Sequence, residues 1–192
     1  MIARARLRNV RRCVETVIHD AVPGDLIETG VWRGGACIYM RGILAAYDEA
    51  RSVWLADSFD GLPEPSHPAD EVFRALHESK VWAVPQDQVR ANFARYGLLD
   101  ENVHFLEGLF RDTLPTLTRR WAIVRLDGDM YDSTMDGLQN LYPSLSPGGF
   151  LIVDDYGSFD ACRQAVEDFR SREGVREPIQ AIDESGVFWR RA

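Results

Sequence analysis

The chain has 192 residues, of which 45% are hydrophobic and 27% charged, and we expect residues 1–192 to form one globular domain. Its net charge of −8 argues against a nucleic-acid partner, because binding to a phosphate backbone needs a basic surface. No apolar run approaches the length that spans a bilayer, so no membrane partner is expected. Three scattered cysteines give no disulfide framework, which favours a reducing, cytoplasmic location.

Lysine occurs once in the chain, at Lys80. A Gly-rich phosphate loop that ends in lysine is therefore excluded. A Tyr/Lys dehydrogenase pair or a Schiff-base enzyme would have to use this one residue. Its neighbours Glu78, Ser79 and Trp82 do not indicate such chemistry.

Residues 1–23 are predicted to contain an amphipathic helix, because apolar residues recur at helical spacing with arginines on the other face. A short buried strand follows at residues 25–28, then a glycine turn and an apolar helix over residues 36–47. Strand, glycine turn and helix form the nucleotide-binding opening of a doubly wound α/β fold. The turn lacks the G-x-G-x-x-G dinucleotide pattern, since Val31 and Trp32 replace the second glycine.

The second predicted strand, residues 52–56, ends in Asp57. An acid at this point is placed to accept both hydroxyls of a ribose, and Phe59 is placed to cover an adenine face. The alternatives are that Asp57 caps a turn and that Phe59 belongs to the core. Residues 63–86 contain four prolines and little regular pattern, which is typical of a lid or substrate-binding loop.

Further strand and helix patterns alternate through the second half of the chain. Gly108, in the exit loop of the third strand, would let a base approach the backbone. This pattern predicts an α/β fold: a mainly parallel sheet with helices on both faces and an antiparallel strand near one edge. The strands are predicted at residues 103–106, 121–126, 150–153, 178–182 and 186–190, and the helices at 87–96, 113–118, 136–142 and 161–172.

Two of these strands end abruptly in pairs of carboxylates, Asp127 and Asp129 after one and Asp154 and Asp155 after the other. Parallel strands end at one edge of a sheet, where ligands of such folds bind. Four acids placed there would repel one another unless a cation lay between them, and hard divalent cations take carboxylate oxygens as ligands. The alternative is that these aspartates are helix caps and turn formers.

Four segments resemble the macrocin O-methyltransferase family. They are ETGVWRGG (residues 28–35), ADSFDGLP (56–63), RLDGDMYDST (125–134) and PGGFLIVDDY (147–156). The resemblance implies a class I methyltransferase with a Rossmann-like sheet, S-adenosylmethionine as cofactor and Mg²⁺ at the rim of the sheet. It also implies an acceptor hydroxyl on a sugar of an antibiotic or related glycoside.

On this resemblance, Asp127, Asp154 and Asp155 would hold the metal, and Asp129 would be the catalytic base beside the reacting hydroxyl. Asp127 and Asp129 can also exchange these roles, and Asp132 is predicted to be a helix cap. Glu28 would meet the methionine ammonium, unless it is a buried partner for Arg33 or a backbone amide. The residues predicted to bind the cofactor are Glu28, Thr29, Gly30, Arg33, Gly34, Gly35, Asp57, Ser58, Phe59, Gly108, Phe110 and Asp127.

Other functions remain open at this point. A catechol O-methyltransferase is a near alternative, because vicinal phenols chelate a metal in the same way as vicinal sugar hydroxyls. A nicotinamide-dependent oxidoreductase is disfavoured by the missing second glycine, and a non-catalytic binding module is a further alternative. The N-terminal helix and the resemblance together suggest a homo-oligomer.

Overall fold

The computed structural model describes residues 2–192. In this part of the chain, strands and helices alternate before a terminal hairpin. The strands are β1 (Asp25–Thr29), β2 (Val53–Asp57), β3 (Val103–Glu107), β4 (Trp121–Leu126), β5 (Leu145–Val153), β6 (Gln180–Ala181) and β7 (Val187–Arg190). The helices are α1 (Arg4–His19), α2 (Gly35–Ala46), α3 (Arg74–Ser79), α4 (Gln86–Arg95), α5 (Phe110–Thr113), α6 (Tyr131–Leu141) and α7 (Asp160–Glu173).

The seven strands form one sheet in the order β3-β2-β1-β4-β5-β7-β6. Strands β1 to β5 are parallel, while β7 runs antiparallel to both β5 and β6. The predicted fold class, a mainly parallel α/β sheet with an antiparallel strand near one edge, is confirmed. The strand order reverses between β1 and β4, and this is the point where open α/β sheets bind ligands.

Two hydrophobic clusters cover the two faces of the sheet. Helices α1, α2 and α4 supply one cluster, and α6 and α7 supply the other. No helix within residues 2–192 is long and apolar enough to cross a membrane. Because both faces of the sheet are covered, we look for a binding site at the carboxyl ends of the central strands.

Several predicted boundaries are shifted. Helix α6 begins at Tyr131 instead of residue 136, and α5 begins at Phe110 instead of residue 113. Strand β5 begins at Leu145, so the Pro147-Gly148-Gly149 turn predicted to precede it lies inside the strand. The strand tolerates proline and glycine here because the β4–β5 pairing is irregular between Trp121 and Ile123. The predicted lid, residues 63–86, contains a 3₁₀ helix (Pro68–Phe73) and α3.

Candidate active site

A cleft of about 850 Å³ opens at the carboxyl ends of the central strands. Backbone hydrogen bonds beyond the strand ends keep these ends level: Asp127 donates to Thr29, Asp154 to Leu126 and Gly108 to Asp57. Most of the predicted site residues line the cleft, namely Glu28, Gly30, Arg33, Gly35, Asp57, Ser58, Gly108, Phe110, Asp127, Asp129, Asp154 and Asp155. The parallel strands therefore bring together residues that are up to 127 positions apart in the sequence.

The glycine turn after β1 is shaped by close backbone approaches. Gly30 has φ +80, and a Cβ there would lie 1.9 Å from the carbonyl oxygen of Asp127. Gly34 has φ +79, and its Cβ would lie 2.7 Å from Val89. At Gly35 a Cβ would meet no atom within 4 Å. Gly30 and Gly34 are thus required by the fold, whereas Gly35 leaves open space on the wall of the cleft.

Asp57 holds this turn from the next strand. Its Oδ2 accepts hydrogen bonds from the backbone N–H of Val31 (2.7 Å) and Trp32 (3.2 Å), and its Oδ1 accepts one from Phe59 (2.8 Å). Burial raises the pKa of Asp57, although these backbone donors lower it. The turn-capping alternative therefore describes a real contact of Asp57, and any ribose contact would be additional.

Three predicted cofactor residues do not present side chains to the cleft. The ring of Phe59 is 6% exposed and its centre lies 6.2 Å from that of the Phe105 ring, so it belongs to the core and not to the lining of the cleft. Thr29 is buried within β1, and Gly34 packs against α4. These positions contribute backbone geometry to the site.

Three carboxylates converge on one side of the cleft. One oxygen from each of Asp127, Asp154 and Asp155 lies within 4.8 Å of the others. The Oδ1 atom of Asp154 is buried and lies 2.6 Å from the Nη2 atom of Arg125. Burial, reinforced by Asp127, Asp129 and Asp154, raises the pKa of Asp155 well above its ordinary value. Such a set of oxygens is the donor set that a hard divalent cation takes.

Arg125 is the counter-charge at the base of this cluster, and sequence reasoning did not single it out. Its side chain is 1% exposed and forms ion pairs with Glu28, with Asp127 (2.6 Å) and with Asp154 (2.6 Å). Burial alone would lower the pKa of Arg125, but the three carboxylates raise it well above its ordinary value. A charged residue inside an otherwise apolar strand was the signal, because such a residue needs buried partners.

Glu28 stands opposite Arg125 in the β1–β4 pairing, so this arginine and not Arg33 is its partner. Its Oε2 accepts a hydrogen bond from the thiol of Cys37 at 2.6 Å. Burial raises the pKa of Glu28 to about 7, although Arg125 lowers it. Arg33 is exposed, and its guanidinium lies 4.7 Å from the centre of the Trp32 ring at the mouth of the cleft.

Asp129 lies between the carboxylate cluster and the start of α6. It has φ +57, a left-handed conformation that aspartate adopts more readily than most residues. Its backbone N–H donates to Asp155 Oδ2 at 3.3 Å. Burial, with contributions from Asp127 and Asp154, raises the pKa of Asp129 to about 8. A carboxyl group with such a pKa is a better proton acceptor near neutral pH than an ordinary aspartate.

Asp70, which sequence reasoning missed, caps α6 from the 63–86 segment. This fully buried residue accepts hydrogen bonds from the backbone N–H of Tyr131 (2.6 Å) and Asp132 (3.1 Å). Asp132 was predicted to be the cap, but it lies in the first turn and accepts a hydrogen bond from Ser66. The segment thus holds the helix that begins two residues after Asp129.

We expect Asp70→Ala to lower the free energy of unfolding by about 1–2 kcal/mol, because two N–H groups of α6 lose their acceptor. Urea denaturation followed by circular dichroism measures this change. Glu71→Ala is the matched control, since Glu71 is the exposed neighbour that pairs only with Arg74 at the surface. Equal unfolding free energies for the two variants would contradict the capping role.

The chain is similar to known proteins of one family. The profile of the macrocin-O-methyltransferase (TylF) family matches residues 1–191. The chain belongs to this family. Within the macrocin O-methyltransferase family it is 58% identical to 8-demethyl-8-(2,3-dimethoxy-alpha-L-rhamnosyl)-tetracenomycin-C 4'-O-methyltransferase of Streptomyces olivaceus, over 99% of this chain and 74% of the relative. It is 51% identical to mycinamicin III 3''-O-methyltransferase of Micromonospora griseorubida, over 100% of this chain and 78% of the relative.

Solved structures agree with this family assignment. The O-methyltransferase NovP superposes with a TM-score of 0.95 at 51% identity, over 98% of this chain and 80% of that one. The calicheamicin methyltransferase CalS11 superposes with a TM-score of 0.78 at 20% identity, over 96% of this chain and 78% of that one, and shares the fold. The predicted resemblance and the class I methyltransferase fold are therefore confirmed.

Proposed function

We propose that this O-methyltransferase moves the methyl group of S-adenosylmethionine to a sugar hydroxyl of a natural-product glycoside. A divalent cation such as Mg²⁺ would be held by the acidic cluster, which consists of Asp127, Asp154 and Asp155. One observation carries the proposal. Asp127, Asp154 and Asp155 stand together, beside Asp129, on the wall of a cleft at the reversal point of the strand order. The relatives' names support the acceptor class, since one names a rhamnosyl tetracenomycin and another a mycinamicin.

Several features of the cleft support the proposed cofactor. The open wall at Gly35 gives room for a ligand beside the glycine turn. Glu28, at the end of β1, would face the methionine ammonium, and Asp57, at the end of β2, would lie at the ribose. Ser58, Gly108 and Phe110 line the cleft further along the same edge, where we place the adenosine.

The acidic cluster fits a divalent cation. Five carboxylates, from Glu28, Asp127, Asp129, Asp154 and Asp155, face two guanidinium groups, from Arg125 and Arg6, which leaves a formal excess of three negative charges. The three aspartates Asp127, Asp154 and Asp155 each offer one oxygen within 4.8 Å of the others, which is the kind of oxygen set that a hard divalent cation takes. A cation bound here would lower the pKa of an acceptor hydroxyl and fix its position.

Asp129 is the residue we assign as general base. The acceptor oxygen forms a bond to the methyl carbon as the bond from sulfur to that carbon breaks, and the hydroxyl proton passes to the carboxylate of Asp129. Asp129 suits this transfer by its place, since it lines the cleft beside Asp127, Asp154 and Asp155. Asp127 keeps its position through Arg125, with which it forms a 2.6 Å ion pair.

The acceptor is placed on the side of the cleft formed by residues 61–82. Leu62, Pro63, Ser66 and Trp82 line the cleft there. The ring of His67 stacks on Tyr131 at 3.8 Å, which fixes this segment against the start of α6. An aromatic side chain beside aliphatic ones is a suitable surface for the apolar face of a deoxysugar.

The experiment is a methylation assay with S-adenosylmethionine and Mg²⁺ on two acceptor panels, rhamnosyl glycosides and catechols, read by mass spectrometry. We expect a methyl group to be added to a glycoside and not to a catechol. Gly35→Leu is the negative control, because its side chain would fill the open wall and should abolish cofactor binding measured by calorimetry. Methylation of catechols alone would overturn the acceptor class, and wild-type protein that binds no S-adenosylmethionine would overturn the whole proposal.

A further inference from the structure

Helix α1 reaches the acidic cluster through one side chain. Arg6 donates from Nη1 to Asp154 Oδ2 at 2.5 Å and from Nε to Asp183 Oδ2 at 2.9 Å. Its side chain is 16% exposed and lines the cleft. The other arginines near the start of α1, such as Arg4 and Arg8, are exposed. Arg6 is therefore distinct from the surface arginines of the same helix.

The two carboxylate oxygens of Asp154 contact different arginines. Oδ2 is held by Arg6, and the buried Oδ1 forms an ion pair with Arg125 Nη2 at 2.6 Å. The backbone is held as well, because Asp154 donates to Leu126 and its carbonyl accepts from Ser185 Oγ at 2.7 Å. With the backbone fixed, the contacts to Arg6 and Arg125 together decide how the carboxylate is rotated.

Arg6 is itself fixed by the turn of the β6–β7 hairpin. Asp183 Oδ1 accepts hydrogen bonds from the backbone N–H of Ser185 (3.0 Å) and Gly186 (2.7 Å), which leaves Oδ2 for Arg6. The turn packs closely on the loop after Asp155, since a Cβ at Gly157 would lie 2.0 Å from the carbonyl oxygen of Glu184. Turn, arginine and Asp154 thus form one connected brace.

We propose that Arg6 is a positioning residue which holds Asp154 Oδ2 and thereby fixes the orientation of the Asp154 carboxylate as a ligand for a bound divalent cation. This inference rests on the proposed function, because it requires the acidic cluster to bind a metal. Ligand orientation by a hydrogen-bonded neighbour of this kind typically changes metal affinity by about 10–100-fold. It makes α1, which otherwise packs on the sheet, a part of the active site.

A purely electrostatic role for Arg6 predicts the opposite result. If Arg6 only neutralised negative charge, its removal would leave the cluster more negative and Mg²⁺ would bind more tightly. If Arg6 orients Asp154, its removal frees the carboxylate to rotate and Mg²⁺ binds more weakly. The sign of the change in metal affinity therefore separates positioning from charge balance.

The test is calorimetric titration of Mg²⁺ into the full chain, without an acceptor, for wild type and Arg6→Met. We expect Arg6→Met to weaken Mg²⁺ binding about 10-fold or more while the Kd for S-adenosylmethionine stays within about twofold. Arg8→Met is the matched control, because Arg8 is exposed on the same helix and should bind Mg²⁺ as wild type does. Arg6→Lys should restore part of the affinity, since one ammonium can hold one carboxylate but not two.

Melting curves and two further variants allow the test to be completed if Arg6→Met does not fold. If Arg6→Met does not fold, Asp183→Asn and Arg6→Lys take its place, and each should weaken Mg²⁺ binding by less than the full effect. Unchanged or tighter Mg²⁺ binding in the folded Arg6 variants, with wild-type protein binding Mg²⁺, would overturn the role of Arg6 alone. Wild-type protein that binds no Mg²⁺ would instead overturn the metal site of the proposed function.

Discussion

Replacing Asp129 by asparagine is expected to lower kcat by about 10²–10⁴-fold, the usual contribution of a positioned general base. An amide cannot accept the hydroxyl proton, but asparagine keeps the size of the side chain and tolerates the left-handed backbone at this position (φ +57). Binding of S-adenosylmethionine and of Mg²⁺ should change little. Steady-state methylation kinetics and calorimetry on the same protein measure the two effects separately.

The control for this experiment is Asp87→Asn, an equivalent change at an exposed residue of α4 outside the cleft. It should leave kcat as in wild type. A near-normal kcat for Asp129→Asn would remove Asp129 as the base. If Asp127→Asn were then inactive with normal Mg²⁺ affinity, the two aspartates would have the exchanged roles that their spacing in the sequence leaves open.

Removal of divalent metal is expected to have the second large effect. Treatment with EDTA should reduce methylation below detection, and added Mg²⁺ should restore it, because Asp129 alone is a weak base for a sugar hydroxyl. The assay is product formation before chelation, after chelation and after restoration. Methylation that continues in EDTA at the untreated rate would contradict a metal in this reaction.

The role of a single metal ligand is tested with the variant Asp155→Asn. This variant keeps an acceptor for the backbone N–H of Asp129, which Asp155 Oδ2 accepts at 3.3 Å, but it loses the charge that a divalent cation needs. We expect Mg²⁺ to bind at least about 10-fold more weakly and activity to recover only at high Mg²⁺. Wild-type Mg²⁺ affinity in this variant would exclude Asp155 as a ligand.

The convergence of the aspartates was predictable from the sequence for a geometric reason. Asp127 and Asp154 each follow a buried run of strand character, and parallel strands end at the same edge. The residues need not be close in sequence, because the sheet supplies the proximity. The same reasoning placed Asp57 and Gly108 at this edge, and the structure has both in the cleft.

The residues that support these carboxylates were not predictable in the same way. Arg6, Asp70 and Asp183 lie in an α-helix, a 3₁₀ helix and a turn, and their side chains reach the site only through tertiary packing. Arg125 was visible as a charge within a strand, but the sequence does not say which carboxylates it meets. The role of Phe59 could not be decided from the sequence either. Its position beside Asp57 fits both a ligand contact and a place in the core, and the direction of its backbone decides between the two.

The brace between Arg6 and Asp183 has a consequence for biosynthesis. Arg6 and Asp183 are separated by 177 positions and Arg6 and Asp154 by 148, so neither contact can form until the long segment between its two residues has been synthesised. Contacts of such long range carry a large loop-closure entropy and form late in folding. The acidic cluster should therefore reach its final geometry in the last step of folding, and recovery of Mg²⁺ affinity during refolding should lag behind recovery of helix content.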